Sequence, residues 1–164
     1  MYQWNSNELE LGLAAAVGAD CSITASISDE NPPCFVFGGP SCNFELYFED
    51  DALREFVPIA NKALTTMETS RATEEHDSVP EHHAPEDPES KNMKHLSWAW
   101  INKGCHMDFE LSNPDSMFFR FGSTSKSFEP KFHVHALRRF VPLLREALAQ
   151  IDPVADQALV GAGS

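Results

Sequence analysis

The sequence contains two copies of one segment, separated by a constant offset of 84 residues. When Cys21 is placed on Cys105, residues 21–64 align with residues 105–148 without a gap. Seventeen of the 44 aligned positions are identical, whereas average composition would give about three identities by chance. A repeat of this strength indicates internal duplication, so the chain is expected to fold as two related units.

Alternating apolar residues predict four strands at the start of each copy. In the first copy these strands run roughly over residues 8–16, 22–28, 34–37 and 43–49. In the second copy the alternating apolar sets are Leu96, Trp98 and Trp100; Cys105, Met107, Phe109 and Leu111; Met117, Phe119 and Phe121; and Phe128, Pro130, Phe132 and Val134. A period of two is typical of an antiparallel meander that covers a core on one side. Lys103-Gly104 is the two-residue turn expected between the first two of these strands.

A helix is predicted directly after the strands of each copy. Apolar residues recur at helical spacing over residues 52–64 and again over residues 136–151. Pro58 and Pro142 fall on the polar side of these helices. Two interpretations are open: the prolines bend a continuous helix from its interior, or each stands at the first position of a shorter helix.

The segment between the copies has a different composition. Residues 67–94 hold eight acidic side chains and three prolines, which predicts a flexible linker because little apolar surface can offset the entropy of ordering. Residues 153–164 are predicted to be a flexible tail. Because a unit of about 60 residues buries only a modest part of its surface alone, the two units should pack together. The predicted fold class is α+β, with tandem duplicated antiparallel ββββα units (residues 1–66 and 95–152) packed as one pseudo-twofold domain.

The chain is acidic, and its charge is unevenly distributed. It has 12 Lys plus Arg and 25 Asp plus Glu, a formal net charge of -13. Residues 1–66 carry -8, residues 67–94 carry -5, and residues 95–164 are neutral. This balance excludes a general coat for duplex DNA, because duplex binding needs a positive field.

Four cysteines occur, at positions 21, 34, 42 and 105, and none forms a Cys-x-x-Cys zinc motif. Cys21 and Cys105 occupy equivalent strand positions and are expected to be buried apolar side chains. Cys34 and Cys42 flank the Gly38-Gly39-Pro40 turn, which places a disulfide across a hairpin within reach. The sequence shows neither a secretion signal nor an apolar run long enough to span a membrane. A cytoplasmic location with reduced thiols is therefore expected.

The histidines supply one weak candidate metal site. His133 and His135 could share a sheet face with His106 and Asp108, and imidazole and carboxylate groups suit several divalent ions. No nucleophile elbow, Walker loop, Rossmann fingerprint or His-Glu-x-x-His motif occurs. The sequence therefore predicts a protein that is not an enzyme and uses no cofactor, and a metal-dependent enzyme is kept as a lower-ranked alternative.

The step from the last strand into the helix is the same in both copies. It reads Phe-x-x-x-Phe-x-x-x-Ala-Leu-Arg, beginning at Phe44 and at Phe128. Through this step and the order of strands and helix, residues 8–66 and 95–151 resemble the duplicated architecture of the Whirly proteins and the single unit of the PC4-type transcription cofactors. The resemblance implies single-stranded nucleic acid bound on basic, aromatic-studded sheets. Because the first copy is acidic where such a surface is basic, no binding residue is carried over.

The charges lead to two hypotheses about function. The first is a non-catalytic regulatory protein, of inhibitor or immunity type, that binds a basic protein partner by electrostatically steered encounter. Its predicted partner surface consists of Glu45, Glu49, Asp50, Asp51 and Glu55. The alternative is a binder of single-stranded nucleic acid that uses the second copy. Its predicted contacts are Arg120, Lys126, Lys131, Arg138, Arg139 and Arg145, with Phe118 as an exposed aromatic residue.

Overall fold

The computed structural model describes residues 13–39, 43–73, 97–122 and 127–162. The first half contains β1 (Leu13–Val17), β2 (Ser22–Ser26), β3 (Cys34–Gly38), β4 (Asn43–Phe48) and α1 (Asp50–Thr73). The second half contains β5 (Ser97–Ile101), β6 (Met107–Asn113), β7 (Ser116–Gly122), β8 (Ser127–His133), α2 (Val134–Ile151) and α3 (Pro153–Ala162). The predicted α+β class is confirmed, and the order of four strands followed by a helix occurs in each half.

The two halves exchange their first strands. Sheet 1 has the order β2-β3-β4-β5, and sheet 2 has the order β1-β8-β7-β6. β5 lies parallel beside β4, and β1 lies parallel beside β8. The predicted antiparallel meander therefore holds for three strands of each sheet and not for the fourth, which comes from the other half. The turn at Lys103-Gly104 consequently joins two sheets instead of two paired strands, a difference that alternation cannot reveal because it reports the face of a strand and not its neighbour.

Aromatic side chains from both halves share one core. Phe56 of α1 meets Phe119 of sheet 2, with 4.9 Å between ring centroids. The equivalent Phe140 of α2 meets Phe35 of sheet 1 at 5.4 Å. Each helix thus contacts strands of the other half, in addition to a phenylalanine of its own half, Phe48 for Phe56 and Phe132 for Phe140. All six rings are at most 1% exposed, so the two halves are joined through a continuous hydrophobic core.

Pro58 and Pro142 lie inside continuous helices. Pro58 and Pro142 are each the ninth residue of α1 and α2, and both are exposed. The first interpretation, prolines inside a continuous helix, is therefore confirmed, and the first-position alternative is wrong. An exposed proline is tolerated inside a helix whose opposite face is held by tertiary packing.

The first helix continues into the segment that was predicted to be a linker. α1 ends at Thr73, seven residues beyond the boundary predicted at residue 66. Met67 is fully buried, and Arg71 forms an ion pair with Asp115, so tertiary contacts order this extension. Residues 74–94 of the predicted linker lie outside the described residues.

The predicted flexible tail begins with a third helix. The backbone N–H of Ala155 donates to Oδ1 of Asp152 at 3.1 Å, and Pro153 stands at the first helical position. Asp before Pro is a favourable start for a helix, because the carboxylate caps an unpaired N–H and proline has none to satisfy. Ala155 and Leu159 then pack against the core, so α3 is held in place as well as capped.

The side chains of β5 face the opposite way from the prediction. The apolar set with Trp98 and Trp100 was expected on the core side, but Ala99 and Ile101 are the buried residues, each 4% exposed. The two tryptophans are half-buried on the outer face of sheet 1. Small and branched residues fit the crowded interior here, and the larger rings pack on the outside.

The described cysteines are buried. Cys21 and Cys105 are buried as predicted, although each precedes its strand instead of lying within it. Tyr47 is the residue opposite Cys34 in the β3–β4 hairpin, Cys34 is a free thiol, and Cys42 lies outside the described residues. Burial raises the pKa of the Cys34 and Cys105 thiols. None of the described helices is long and apolar enough to cross a membrane.

Candidate functional site

An acidic groove lies where sheet 1 meets the start of α1. Its volume is about 650 Å³. The β2–β3 loop supplies one wall, the first turn of α1 a second, and the end of α2 a third. Its lining residues are Ile27, Ser28, Asp29, Glu30, Asn31, Pro32, Pro33, Glu49, Asp50, Asp51, Arg54, Gln150 and Ile151. Five carboxylates therefore face one arginine, so this groove, hereafter the acidic groove, carries a negative charge.

Two of the five carboxylates are already engaged within the chain. Oε2 of Glu49 accepts a hydrogen bond from the backbone N–H of Lys103 at 2.8 Å. Asp51 forms ion pairs with Nζ of Lys103 at 3.2 Å and with Nη1 of Arg54 at 2.7 Å. The contact with Lys103, followed by that with Arg54, lowers the pKa of Asp51. These contacts hold the turn before β6 against the start of α1.

The remaining three carboxylates of the groove have no such partner. Asp29, Glu30 and Asp50 are exposed. They form no ion pair or hydrogen bond with the residues that the structure describes. They stand on two different walls, the β2–β3 loop and α1. The groove therefore presents negative charge to a ligand from two sides.

The predicted partner surface is only partly assembled in the groove. The structure brings Glu49, Asp50 and Asp51 together there. Glu45 lies instead on the outer face of sheet 1, where its carboxylate accepts from a tyrosine. Glu55 is exposed on α1 and does not line the groove. Asp29 and Glu30 belong to the groove but were not predicted, because their loop position became adjacent to α1 only through tertiary folding.

Three aromatic rings lie together on the outer face of sheet 1. Tyr47 and Trp100 are opposite one another in the β4–β5 pairing, and their rings are stacked with centroids 5.8 Å apart and an interplanar angle of 11°. Trp98 is nearly perpendicular to Tyr47, at 84° and 6.3 Å. All three are half-buried. We refer to Tyr47, Trp98 and Trp100 as the aromatic cluster.

Glu45 is part of the same surface. The Tyr47 hydroxyl donates to Oε2 of Glu45 at 2.7 Å, and this hydrogen bond raises the pKa of Tyr47. Glu45 also lies opposite Trp98 in the strand register. Since alternate residues of a strand point the same way, Glu45 and Tyr47 share the outer face of β4, and Glu49 directly after this strand lines the acidic groove. The groove and the aromatic cluster are therefore neighbouring parts of one surface.

The repeat contained a signal for the aromatic cluster that the alternation obscured. The offset of 84 places Trp98 and Trp100 on Ala14 and Ala16. Between them, Ala99 falls on another alanine, Ala15. A change from alanine to tryptophan at two alternate positions marks one face of β5 as different from its counterpart in β1.

The basic residues of the second half do not form one open surface. Arg120 is shared by three carboxylates, with Glu129 at 2.7 Å, Glu110 at 3.4 Å and Asp108 at 3.9 Å. These contacts, Glu129 first, raise the pKa of Arg120. Arg120 and Lys131 lie on the strands of sheet 2, whereas the three other described arginines of the predicted set lie on α2. Lys126 lies outside the described residues.

The arginines of α2 are occupied by contacts within the chain. Arg138 pairs with Glu68 of α1 at 2.7 Å. Arg145 lies 3.4 Å from Asp156 of α3. Arg139 donates to the backbone carbonyl of Ala19 at 2.8 Å. These side chains therefore join helices and a turn, and little of their positive charge is left for a phosphate backbone.

The four residues of the candidate metal site are divided between the two ends of sheet 2. His106 contacts Asp108, with 3.2 Å between Nε2 and Oδ2. His133 instead lies opposite Ser116, four residues along β7 from the partner of Asp108, a separation of about 13 Å at the usual rise of a strand. The ring of His133 caps α2 by accepting from the N–H of His135 at 3.2 Å. The expected metal constellation is not assembled, and the described residues contain no group of three or more metal-ligating side chains suited to an ion.

Comparisons with protein-family models, curated proteins and solved structures give no match for this chain.

Proposed function

We propose that this chain is a non-catalytic regulatory protein that binds a basic segment of a protein partner in the acidic groove. The observation that carries the proposal is the position of Asp29, Glu30 and Asp50, which are exposed on two walls of one groove. A lysine or arginine side chain entering between these walls would approach carboxylates from both sides. We further propose a cytoplasmic location, where the free thiols of Cys34 and Cys105 would stay reduced.

The shape of the groove supports a segment of polypeptide as its ligand. Its volume of about 650 Å³ lies within the range of sites that take several side chains or one small molecule. Pro32, Pro33 and Ile151 add apolar lining beside the carboxylates. A ligand that is cationic and also carries apolar groups matches this lining, as basic peptide segments do.

A binder of single-stranded nucleic acid is the second candidate function. One observation favours it: on the outer face of sheet 2, Nζ of Lys131 lies 5.7 Å from the centroid of the Phe118 ring, which combines a positive charge with a stacking platform. The ion pairs of Arg120, Arg138 and Arg145 weigh against it, because a phosphate backbone would have to compete with carboxylates already in place.

Charge reversal in the groove tests the first candidate. In the full chain we would compare the double variant Asp29→Lys/Asp50→Lys with the control Asp20→Lys/Glu55→Lys. All four side chains are exposed, none has an ion pair or hydrogen bond among the described residues, and both variants change the net charge equally. The probe is a short fluorescent oligolysine peptide, with a labelled oligothymidylate as the nucleic-acid arm.

We expect the groove variant to bind the peptide on the order of tenfold more weakly than the control. Binding by the unaltered chain should weaken as salt rises. Equal losses in both variants would show that net charge alone attracts the peptide, which contradicts a specific groove. Binding of oligothymidylate that is lost on changing Lys131→Glu would move the second candidate ahead.

A further inference from the structure

The aromatic cluster is a half-buried surface of three rings on the outer face of sheet 1. Tyr47 and Trp100 provide two nearly parallel rings, and Trp98 stands almost at right angles to Tyr47. No described helix covers this face of sheet 1, because α1 and α2 pack on the core side. The three rings are half-buried, and an aromatic ring attracts organic cations to the part of its negative π face that neighbouring rings leave uncovered.

Within the described residues, no cationic side chain lies over these three rings. Sheet 2 differs at the equivalent place, because Lys131 approaches the Phe118 ring there, and the offset of 84 places Lys131 on Tyr47. The second half thus supplies its own cation to its outer face. The first half has an aromatic ring, Tyr47, at that position, so a cation on the aromatic cluster would be supplied by a ligand.

Glu45 supplies the negative charge that such a cation would need. Its Oε2 atom is held at 2.7 Å by the Tyr47 hydroxyl, and its backbone is opposite Trp98. One carboxylate oxygen is thereby fixed at the edge of the cluster. The other carboxylate oxygen has no hydrogen bond to the described residues, so it is available to a donor.

We propose that Tyr47, Trp98, Trp100 and Glu45 form a binding site for an arginine side chain of the basic partner. A guanidinium group is planar, so it stacks on a ring face and donates to a carboxylate at the same time. Lysine presents a compact, strongly hydrated charge that uses flat rings less well. The inference rests on the proposed function for the identity of the partner, and it adds a side-chain preference that the acidic groove alone does not have.

The two sites are close enough for one extended segment to occupy both. Glu49 lines the acidic groove and comes directly after the end of β4, two residues beyond Tyr47, which is about 7 Å in extended backbone. A segment with its arginine on the aromatic cluster would place the next basic residues in the groove. The aromatic cluster would then favour arginine over lysine, and the acidic groove would attract any basic residue through its negative charge.

The experiment uses the full chain with the substitution Trp4→Phe, which leaves Trp98 and Trp100 as the only tryptophans. Their fluorescence is followed during titration with argininamide, lysinamide and citrullinamide. Citrulline has nearly the shape of arginine without its charge. The variants are Tyr47→Leu, which removes a ring but keeps both reporters, and Glu45→Gln, which removes the charge with little change in shape. Phe118→Leu on sheet 2 is the matched control.

We expect a saturable response to argininamide, a weaker one to lysinamide and none to citrullinamide. Tyr47→Leu and Glu45→Gln should each weaken argininamide binding about fivefold, while Phe118→Leu leaves it unchanged. Equal responses to argininamide and citrullinamide would overturn the proposal, as would unchanged binding in Glu45→Gln, a variant that does not depend on tolerance of a lost ring. A response to oligothymidylate that disappears in Tyr47→Leu would assign the rings to nucleic acid instead.

Repeating the titration in Asp29→Lys/Asp50→Lys separates this inference from the proposed function. If only the groove hypothesis fails, argininamide still binds in the Tyr47-dependent manner. If only the arginine site fails, the oligolysine peptide still distinguishes the groove variant from its control.

Discussion

The carboxylate of Asp152 connects three helices. Asp152 follows the last residue of α2, and its backbone N–H donates to the carbonyl oxygen of Leu148 at 2.7 Å. Its side chain accepts from Ala155 at the start of α3 and from Nε of Arg54 in α1, at 3.1 and 2.9 Å. These contacts, the N–H of Ala155 first and then Arg54, lower the pKa of Asp152. One residue therefore ends α2, begins α3 and fixes both to α1.

Replacing Asp152→Ala should destabilise the protein and lower its urea unfolding midpoint. The variant loses both the cap of α3 and the partly exposed ion pair with Arg54. Urea unfolding followed by far-ultraviolet circular dichroism measures the change. Asp20→Ala, an exposed change without such contacts, is the control and should stay within about 0.5 kcal/mol of the unaltered chain. Equal stability of the two variants would show that α3 is not held by this residue.

The lowered pKa values of Asp51 and Asp152 also predict a pH dependence. Because both folded-state values lie below the ordinary 3.8, the unfolded chain binds more protons as the pH falls through this range. The stabilisation is therefore fully present above the unfolded pKa and is lost as the pH drops below about 4 toward the folded values. The urea midpoint of unfolding should fall as the pH is lowered from 6 to 3. The midpoint of the double variant Asp51→Asn/Asp152→Asn should fall less steeply over the same range. An identical slope would show that other carboxylates control acid unfolding.

At the scale of elements, α1 does more than the sequence pattern suggested. Its last two turns bring Met67 into the core and place Arg71 beside Asp115 in the β6–β7 turn. Glu68, which lies on α1 three residues before Arg71, forms an ion pair with Arg138 of α2. The end of α1 therefore packs against the second half, so the last two turns of this helix belong to the folded domain.

Met67→Ala should cost about 2 to 4 kcal/mol, the range for removing a large side chain from a well-packed core. Thr65→Ala, at an exposed position of the same helix two residues earlier, is the control and should change stability little. Chemical denaturation of the two variants gives the comparison. A cost for Met67→Ala as small as that of the control would mean that α1 ends near residue 66, as composition alone suggested.

The elements differ in how much of them the sequence determines. Alternation and helical spacing predicted the order of strands and main helices along the chain, because each pattern reports a local exposure to water. The exchange of β1 and β5 could not be predicted, since either neighbour buries the same face of the strand. Three of the five carboxylates of the acidic groove, Glu49, Asp50 and Asp51, were predicted, because consecutive acidic residues at the start of α1 are visible in the sequence. Asp29 and the aromatic cluster required the tertiary structure, which places the loop beside α1 and turns Trp98 outward.

At the scale of the molecule, the two halves are interdependent. Sheet 2 takes its edge strand from residues 13–17, and sheet 1 takes its edge strand from residues 97–101. Each main helix also packs against the other half's strands, as Phe56 and Phe140 show. Neither half therefore holds all the contacts that its own strands and helix need.

Fragments 1–94 and 95–164 should be unstable when separate and should recover ordered structure when mixed. A fragment of 95–164 alone would leave β5 without β4 and β8 without β1, and Phe140 would lose its contacts with Phe35 and Phe37. Circular dichroism of each fragment and of the equimolar mixture, with size-exclusion chromatography, measures this. Fragment 95–164 matching the stability of the full chain would contradict the interdependence of the halves.

The pairing of β1 with β8 also sets the order of events during synthesis. Leu13 and Phe128 are paired although 115 residues separate them along the chain. Long-range pairing of this kind slows folding, because a large loop must close before the contact forms. On the ribosome, β1 emerges before β8 and has no partner until about 115 further residues have been made. The backbone edge of β1 stays open to unwanted pairing through that interval. The three consecutive alanines of β1 form strands less readily than the tryptophan-containing sequence of β5. This weaker propensity makes the unpaired β1 less prone to aggregate.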